Sequence, residues 1–253
     1  MKNKIGLIGI LLITLLACET ETPLSVSAEN FSEENISNCN NAKCPEITVN
    51  YVLVEGEQSI SEKINNELKT FIIASLQIGE KETNAQTIEE AAENFIKTYK
   101  MHSAEFPDMA AEYFSEINVS DIFKNNQLLS FQLKQYKFTG GAHGYGTTHF
   151  VNFDPATGEK LSIKDMFSDF DAFKKVAEKK FREAHKISEN ENINSTGFWF
   201  EDDTFYLPET VGFTNKEVLF HYNQYDIASY AEGPIELAIP IKDIQQFLAI
   251  SVK

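Results

Sequence analysis

The chain has 253 residues, of which 42 % are hydrophobic and 12 % aromatic, enough to bury one sizeable core or two small ones that share an interface. Thirty-eight Asp and Glu against 22 Lys and Arg leave a formal net charge of −16. That balance argues against nucleic acid, which wants a basic face, and permits a cationic partner by electrostatic steering, although acidity also simply keeps an exported protein soluble.

In chain order, the first segment reads as a processing signal. Lys2 and Lys4 precede an apolar run from Ile5 to Leu16, and Leu15-Leu16-Ala17-Cys18 follows. About 12 apolar residues are too few to span a bilayer and suit a signal-peptide core. The motif has the form of a bacterial lipobox, so residues 1–17 are expected to be removed and Cys18 to carry lipid. Acyl chains there would attach the protein to a membrane surface without crossing it. Removal of Lys2 and Lys4 with the leader takes the formal charge from −16 to −18. Cys39 and Cys44 remain, and an even remainder in an exported protein reads as a disulfide. Residues 18–45 are rich in Ser, Thr, Asn and Glu and read as a polar, solvated tether.

Order is expected from Glu46. Ile47, Val49, Tyr51 and Leu53 alternate with polar residues as a strand does. Ser59 with Glu62, and Thr87 with Glu90, have capping-box spacing, each opening an amphipathic helix; Gly79 is read as the stop of the first. Residues 112–123 read as a strand. Leu129, Phe131 and Leu133 alternate, then the apolar phase slips to Tyr136 and Phe138, which predicts a bulge. Thr139 to Gly146 follows, with four glycines and His143. His149, Val151 and Phe153 form the next strand, closed by the turn Asp154-Pro155-Ala156-Thr157-Gly158. Phe170, Phe173, Val176, Ala177, Phe181 and Ala184 mark a third amphipathic helix. Two further strands are read around Val218–Tyr222 and Ile235–Ile239, with an irregular aromatic segment, Tyr225 to Pro234, between them. The whole reads as α+β: a largely antiparallel sheet packed by three amphipathic helices.

The chemistry-bearing residues give few patterns. His143 and His149 are six apart, with His221 further on, which is poor spacing for a zinc site, so no metal or other cofactor is expected. A Gly-x-Ser-x-Gly elbow is missing from the sequence, and the glycine loop lacks both the Lys-Ser/Thr and the following helix of a phosphate cradle. Paired acids such as Asp202-Asp203 fall in polar loops. Aromatics are the better lead: Tyr145, Tyr225 and Tyr230 lie in irregular segments beside Gly or Pro, where they either stack on a ligand or pack the edge of the core. The candidate binding residues are therefore Gly140, Gly141, His143, Gly144, Tyr145, Tyr225, Tyr230 and Gly233, with no catalytic residue among them.

Two stretches carry a resemblance. Tyr136 to Gly144, followed by Asn152-Phe153-Asp154 and Gly158 to Phe167, is similar to the envelope-domain family that includes the ectodomain of the anti-sigma factor RsiV and the N-terminal region of the deacetylase PdaC. Val218 to Ile235 resembles the other signature of that family. The resemblance covers roughly residues 46–250. It implies one globular body built from two adjoining segments, 46–154 PdaC-like and 155–253 RsiV-like. It also implies a non-catalytic module at the cell surface, since the deacetylase's catalytic region is separate and its metal motif has no counterpart in this sequence. The RsiV ectodomain binds lysozyme, and here only binding could carry over, because a lipobox stands where RsiV has a transmembrane helix. The expected role is thus a lipid-anchored, exported envelope module, without catalysis, whose ligand is a lysozyme-like protein or cell-wall glycan. A hydrolase acting on wall polymer and a structural lipoprotein without a small ligand are the alternatives.

Overall fold

A computed structural model describes residues 23–39, 44–79, 84–107 and 111–252. The leader and Cys18 lie outside the described residues. Five strands, β1 (Ser25–Ser32), β2 (Glu46–Glu55), β3 (Phe114–Lys124), β4 (Leu129–Phe138) and β5 (Tyr145–Phe153), form one sheet in sequence order. All neighbours are antiparallel except β2 and β3, whose parallel pairing needs the crossover supplied by two helices, α1 (Gln58–Ser75) and α2 (Ile88–Glu105). A second, antiparallel sheet holds β6 (Val211–Phe213), β7 (Glu217–Tyr222) and β8 (Ile235–Pro240), with α3 (Phe170–His185) packed on it and the short α4 (Ile241–Ile244) after it.

The first sheet is covered by the helices on one face and, at β4 and β5, by the second sheet on the other. Val49, Ile117, Leu129, Phe131, Leu133 and Val151 face α1 and α2 and share a core with Ile64, Leu68, Ile72, Phe95 and Ile96. The opposite face of β4 and β5 meets β6. There Phe213 N donates to Ser130 Oγ at 3.1 Å, Asn152 Nδ2 donates to the Val211 carbonyl at 2.7 Å, and a Cβ on Gly212 would stand 2.4 Å from the Phe150 ring. This two-sided burial explains why Phe150 and Asn152, which occupy the polar phase of the sequence alternation, are as buried as Val151 and Phe153. The second core is aromatic: Phe173, Phe181, Phe205, Phe213, Phe220 and Tyr222 are all fully buried. Burying each such ring contributes roughly 1.5–3 kcal/mol.

Helix capping follows the sequence with one shift. Thr87 Oγ1 accepts from Glu90 N at 3.1 Å and caps α2 as expected. For α1 the cap is Glu57, not Ser59: its carboxylate accepts from the Ser59 and Ile60 amides and so starts the helix earlier. A bond donated by the Ser59 hydroxyl at 2.8 Å, followed by these two amides, holds the Glu57 carboxyl below its ordinary range. α1 also gives way at Leu76, short of Gly79. The Asp154–Gly158 turn forms with Gly158 at φ +69°, its N–H donating to the Asp154 carbonyl at 2.8 Å.

Three expectations are corrected. The stretch 18–45 is not all tether: Ser25–Ser32 pairs along its whole length with β2, and Ile36 behind it is buried. This edge strand is held by backbone hydrogen bonds, and its alternation is too weak to read because one edge and much of its surface face water. Cys39 and Cys44 form the expected disulfide just beyond it. Second, β2 buries Ile47 and Val49 but then Val52 and Val54 rather than Tyr51 and Leu53. After Asn50 it leaves β3 and continues only as a ribbon with β1, and two-stranded ribbons twist most strongly. Third, β4 stays in unbroken register with β5 from Leu129 to Lys137, and the register shift falls in β3 between Asp121 and Phe123. The phase change at Tyr136 and Phe138 marks a change of which face is apolar: both rings lie on the side away from the helices, against Phe114.

Candidate functional site

The glycine-rich segment Thr139–Gly144 is a hairpin loop between adjacent strands, closed by the Lys137–Tyr145 pair. Gly140 and Gly141 turn it at φ +95° and +94°, a conformation that L side chains avoid. Gly144 and Gly146 serve a different end. The ring of Tyr136 lies flat over them, so a Cβ on Gly144 would fall 2.6 Å from the Tyr136 hydroxyl oxygen and one on Gly146 3.0 Å from its ring. The other face of Tyr136 stacks on Phe114 with centroids 5.6 Å apart, yet 42 % of the residue remains exposed.

The second aromatic segment comes to this loop from β7. Tyr230 stacks on His143 with centroids 4.0 Å apart, and its hydroxyl donates to the Gly144 carbonyl at 3.4 Å. The same carbonyl accepts from His143 Nδ1 at 3.0 Å. Tyr225 packs against Tyr230 at 5.6 Å. Asn223 to Asp226 form the tight turn that places Tyr225: Asp226 N donates to the Asn223 carbonyl, and Asn223 N donates to Asp226 Oδ2 at 2.7 Å. Tyr225 occupies the third position of that turn at φ +72°, where glycine is the usual residue. Tyr145 and Tyr225 are 41 % and 53 % exposed, and burial together with nearby Asp226 and Tyr225 raises the Tyr145 hydroxyl. The turn is pinned to the first sheet by the Asn223 amide, which accepts from Thr148 N at 2.7 Å and donates to the Thr148 carbonyl at 3.4 Å.

His143, Gly144, Tyr145, Tyr225 and Tyr230 therefore converge, with carboxylate Asp226 among them. Gly140, Gly141 and Gly233 shape backbone: Gly233 sits at φ +71° after a helical turn at Tyr230–Glu232, and nothing lies within 4 Å of where its Cβ, or that of Gly141, would be. Beside the cluster a cleft of about 400 Å³ runs between the first sheet and β7, lined by Glu116, Asn118, Lys134, Tyr136, His221 and Gln224 among others. His221 Nδ1 donates to Glu236 Oε1 at 3.1 Å; burial, the larger effect, lowers the His221 pKa while Glu236 opposes it. His149 points elsewhere, edge-on to Phe71 of α1. No group of three or more His, Cys, Asp and Glu is placed to hold a metal among the described residues. Sequence reasoning missed Tyr136 as a surface residue, although its phase slip was the signal. It also missed Trp199, 46 % exposed, whose backbone N–H donates to the Ile227 carbonyl at 3.0 Å.

The two segments that build the cluster correspond to two known families. Residues 38–145 match the family model described as Deacetylase PdaC, and residues 163–242 match the one described as Protein of unknown function (DUF3298). The chain thus carries a match to the PdaC model followed by a match to the DUF3298 model. The PdaC domain carries the helical layer and most of the first sheet, the DUF3298 domain carries α3 and the second sheet, and both are of an envelope-associated type. The aromatic cluster straddles them, with His143 to Tyr145 at the end of the PdaC match and Tyr225 and Tyr230 inside the DUF3298 match. Among solved structures, a DUF3298-family protein from Bacteroides fragilis superposes with a TM-score of 0.68 at 23 % identity, over 91 % of this chain and 95 % of that one. Another from Pseudomonas aeruginosa gives 0.57 at 21 % identity, over 91 % and 96 %. At these identities the likeness shows the fold alone. No curated protein matches the chain. Among the described residues no helix is long and apolar enough to cross a membrane.

Proposed function

We propose that this PdaC–DUF3298 chain is an exported, lipid-anchored binding module of the bacterial cell envelope, attached through Cys18 and acting without catalysis, and that its ligand is a cationic protein of the lysozyme kind. The observation that carries this reading is the pair of exposed rings, Tyr145 and Tyr225, held beside Asp226 where the two domains meet. Rigid tyrosines supply contact area at low entropic cost, and a carboxylate beside them suits a basic partner. The net charge supports the same choice. His143, the histidine of the glycine loop, is engaged by its stack on Tyr230 and its bond to Gly144. Calorimetric titration with lysozyme at low and moderate salt tests the proposal. Binding is expected to weaken with salt, and by about thirtyfold in Tyr225→Ala, the size of a hot-spot truncation. Lack of binding at both salts removes the lysozyme reading.

A second reading, a hydrolase acting on peptidoglycan or another wall polymer, has one observation in its favour: the His221–Glu236 pair beside the polar cleft has the base-and-orienter form of general-base catalysis. Turnover of peptidoglycan fragments by the purified protein, lost in His221→Ala, would support it.

A further inference from the structure

The first sheet has two distinct ends. Glu55 closes β2, Lys124 closes β3, Leu129 opens β4 and Phe153 closes β5, and the pairings place these residues together at one end. β1 begins at that same end: Ser25 pairs with Glu55, and Lys124 Nζ donates to the Leu24 carbonyl at 3.0 Å. The Asp154–Gly158 turn completes this base, with Lys63 of α1 donating to its Thr157 carbonyl at 3.1 Å. Phe114, Phe138 and Tyr145 stand at the other end, where the aromatic cluster is built. The ten residues of β4 separate the two ends by roughly 30 Å.

Cys18 precedes Leu24 by six residues. Because Leu24 is already tied to Lys124 and β1 starts at Ser25, those six steps along the chain are all that lie between a lipid on Cys18 and the folded body. Fully extended, they reach about 20 Å. Inverting the body would require the connection to run the length of the sheet, which it is too short to do. We infer that the anchored protein stands on the end formed by Leu24, Lys124 and Asn126, and that the aromatic cluster faces away from the membrane, towards a macromolecule arriving from the wall or medium rather than towards lipid. At such a height the cluster lies several Debye lengths, of about 8 Å each, above the lipid charge. Its electrostatics are then set by its own carboxylates, chiefly Asp226. This inference rests on the lipid-anchor reading above.

The test uses the full chain, processed in a bacterial host and placed in liposomes holding an acceptor-labelled lipid of short transfer radius. Asn126→Cys and Ala142→Cys, both at exposed positions, carry the donor dye one at a time. Transfer is expected to be several-fold stronger from position 126 than from 142. Equal or reversed transfer overturns the orientation. A Gly/Ser insertion of about 20 residues after Cys18 should shrink the difference; an undiminished difference shows that the short connection does not set it and overturns the inference as well. Intact mass separates the two readings: a protein without acyl mass on Cys18 sinks the anchor and the orientation together, whereas an acylated protein with equal transfer sinks the orientation alone.

Discussion

Tyr225 is the residue at which local preference and structure disagree most. A left-handed conformation costs a side-chain-bearing residue about 1–2 kcal/mol, and this one also leaves half its surface in water. Replacement by glycine would relieve that cost but add roughly 0.5–1 kcal/mol of unfolded-state entropy and lose the contact with Tyr230. Tyr225→Gly is therefore expected to leave the thermal midpoint within about 4 °C of wild type while weakening lysozyme binding as Tyr225→Ala does. A much larger drop would mean that the ring is there for packing. His149 gives the pH counterpart. Burial against Phe71 lowers its pKa, outweighing the opposite pull of Asp226 and Glu209. The unfolded chain then takes up a proton near the ordinary value of about 6.5, before the folded chain does. Stability from this group is complete above that pH and declines as pH falls below it, and His185 and His221 shift in the same direction. Urea midpoints at pH 7 and 5 should differ less in His149→Gln than in wild type; an equal difference would assign the acid sensitivity to other groups.

At the level of elements, β5 shows how an edge strand is closed by side chains. Its outward amides at Thr148 and Phe150 are taken by Asn223 Oδ1 and Thr210 Oγ1, and Leu161 N donates to the Asn152 carbonyl. Asn223→Ala removes both bonds to Thr148 and is expected to cost about 2 kcal/mol, read from denaturant midpoints, with faster hydrogen exchange at the Thr148 amide. Gly212→Ala should cost about 1–3 kcal/mol by overpacking against Phe150. The helices, the Thr87 cap of α2 and the Asp154–Gly158 turn were legible because each depends on residues a few positions apart. β1 was not, since its partner is about 25 residues away and it shows little apolar alternation. The second face of β5 was not, because what covers it comes from residues near 211. The aromatic site was half legible: spacing and glycine content singled out His143, Tyr145, Tyr225 and Tyr230, but stacking of residues almost 90 positions apart is a property of the folded chain.

For the whole molecule, the two matched families do not behave as beads on a string. Leu128, between β3 and β4, belongs to the aromatic core of the DUF3298 half, and Asn125 Nδ2 donates to the Ser251 carbonyl at 2.7 Å near the other end of the sequence. With the Ser130 and Asn152 bonds, these contacts make each half part of the other's surface. A single calorimetric transition is expected for the mature protein, with equal van't Hoff and calorimetric enthalpies, and a fragment of residues 155–253 should fail to fold alone. Two resolved transitions would show the halves to be independent.

The edge position of β1 has a mechanical consequence. On the lipid-anchor reading, a partner pulling on the distal cluster draws the body away from the membrane, and the resisting force enters through Ser25. That force runs along the axis of β1. It loads the β1–β2 hydrogen bonds in shear, all together, rather than peeling them open one after another. Behind the strand, the bond from Ile47 N to Glu33 and the Cys39–Cys44 disulfide stand as further stops. A segment that looks like a leash in sequence thus acts in the fold as the splice through which tension passes.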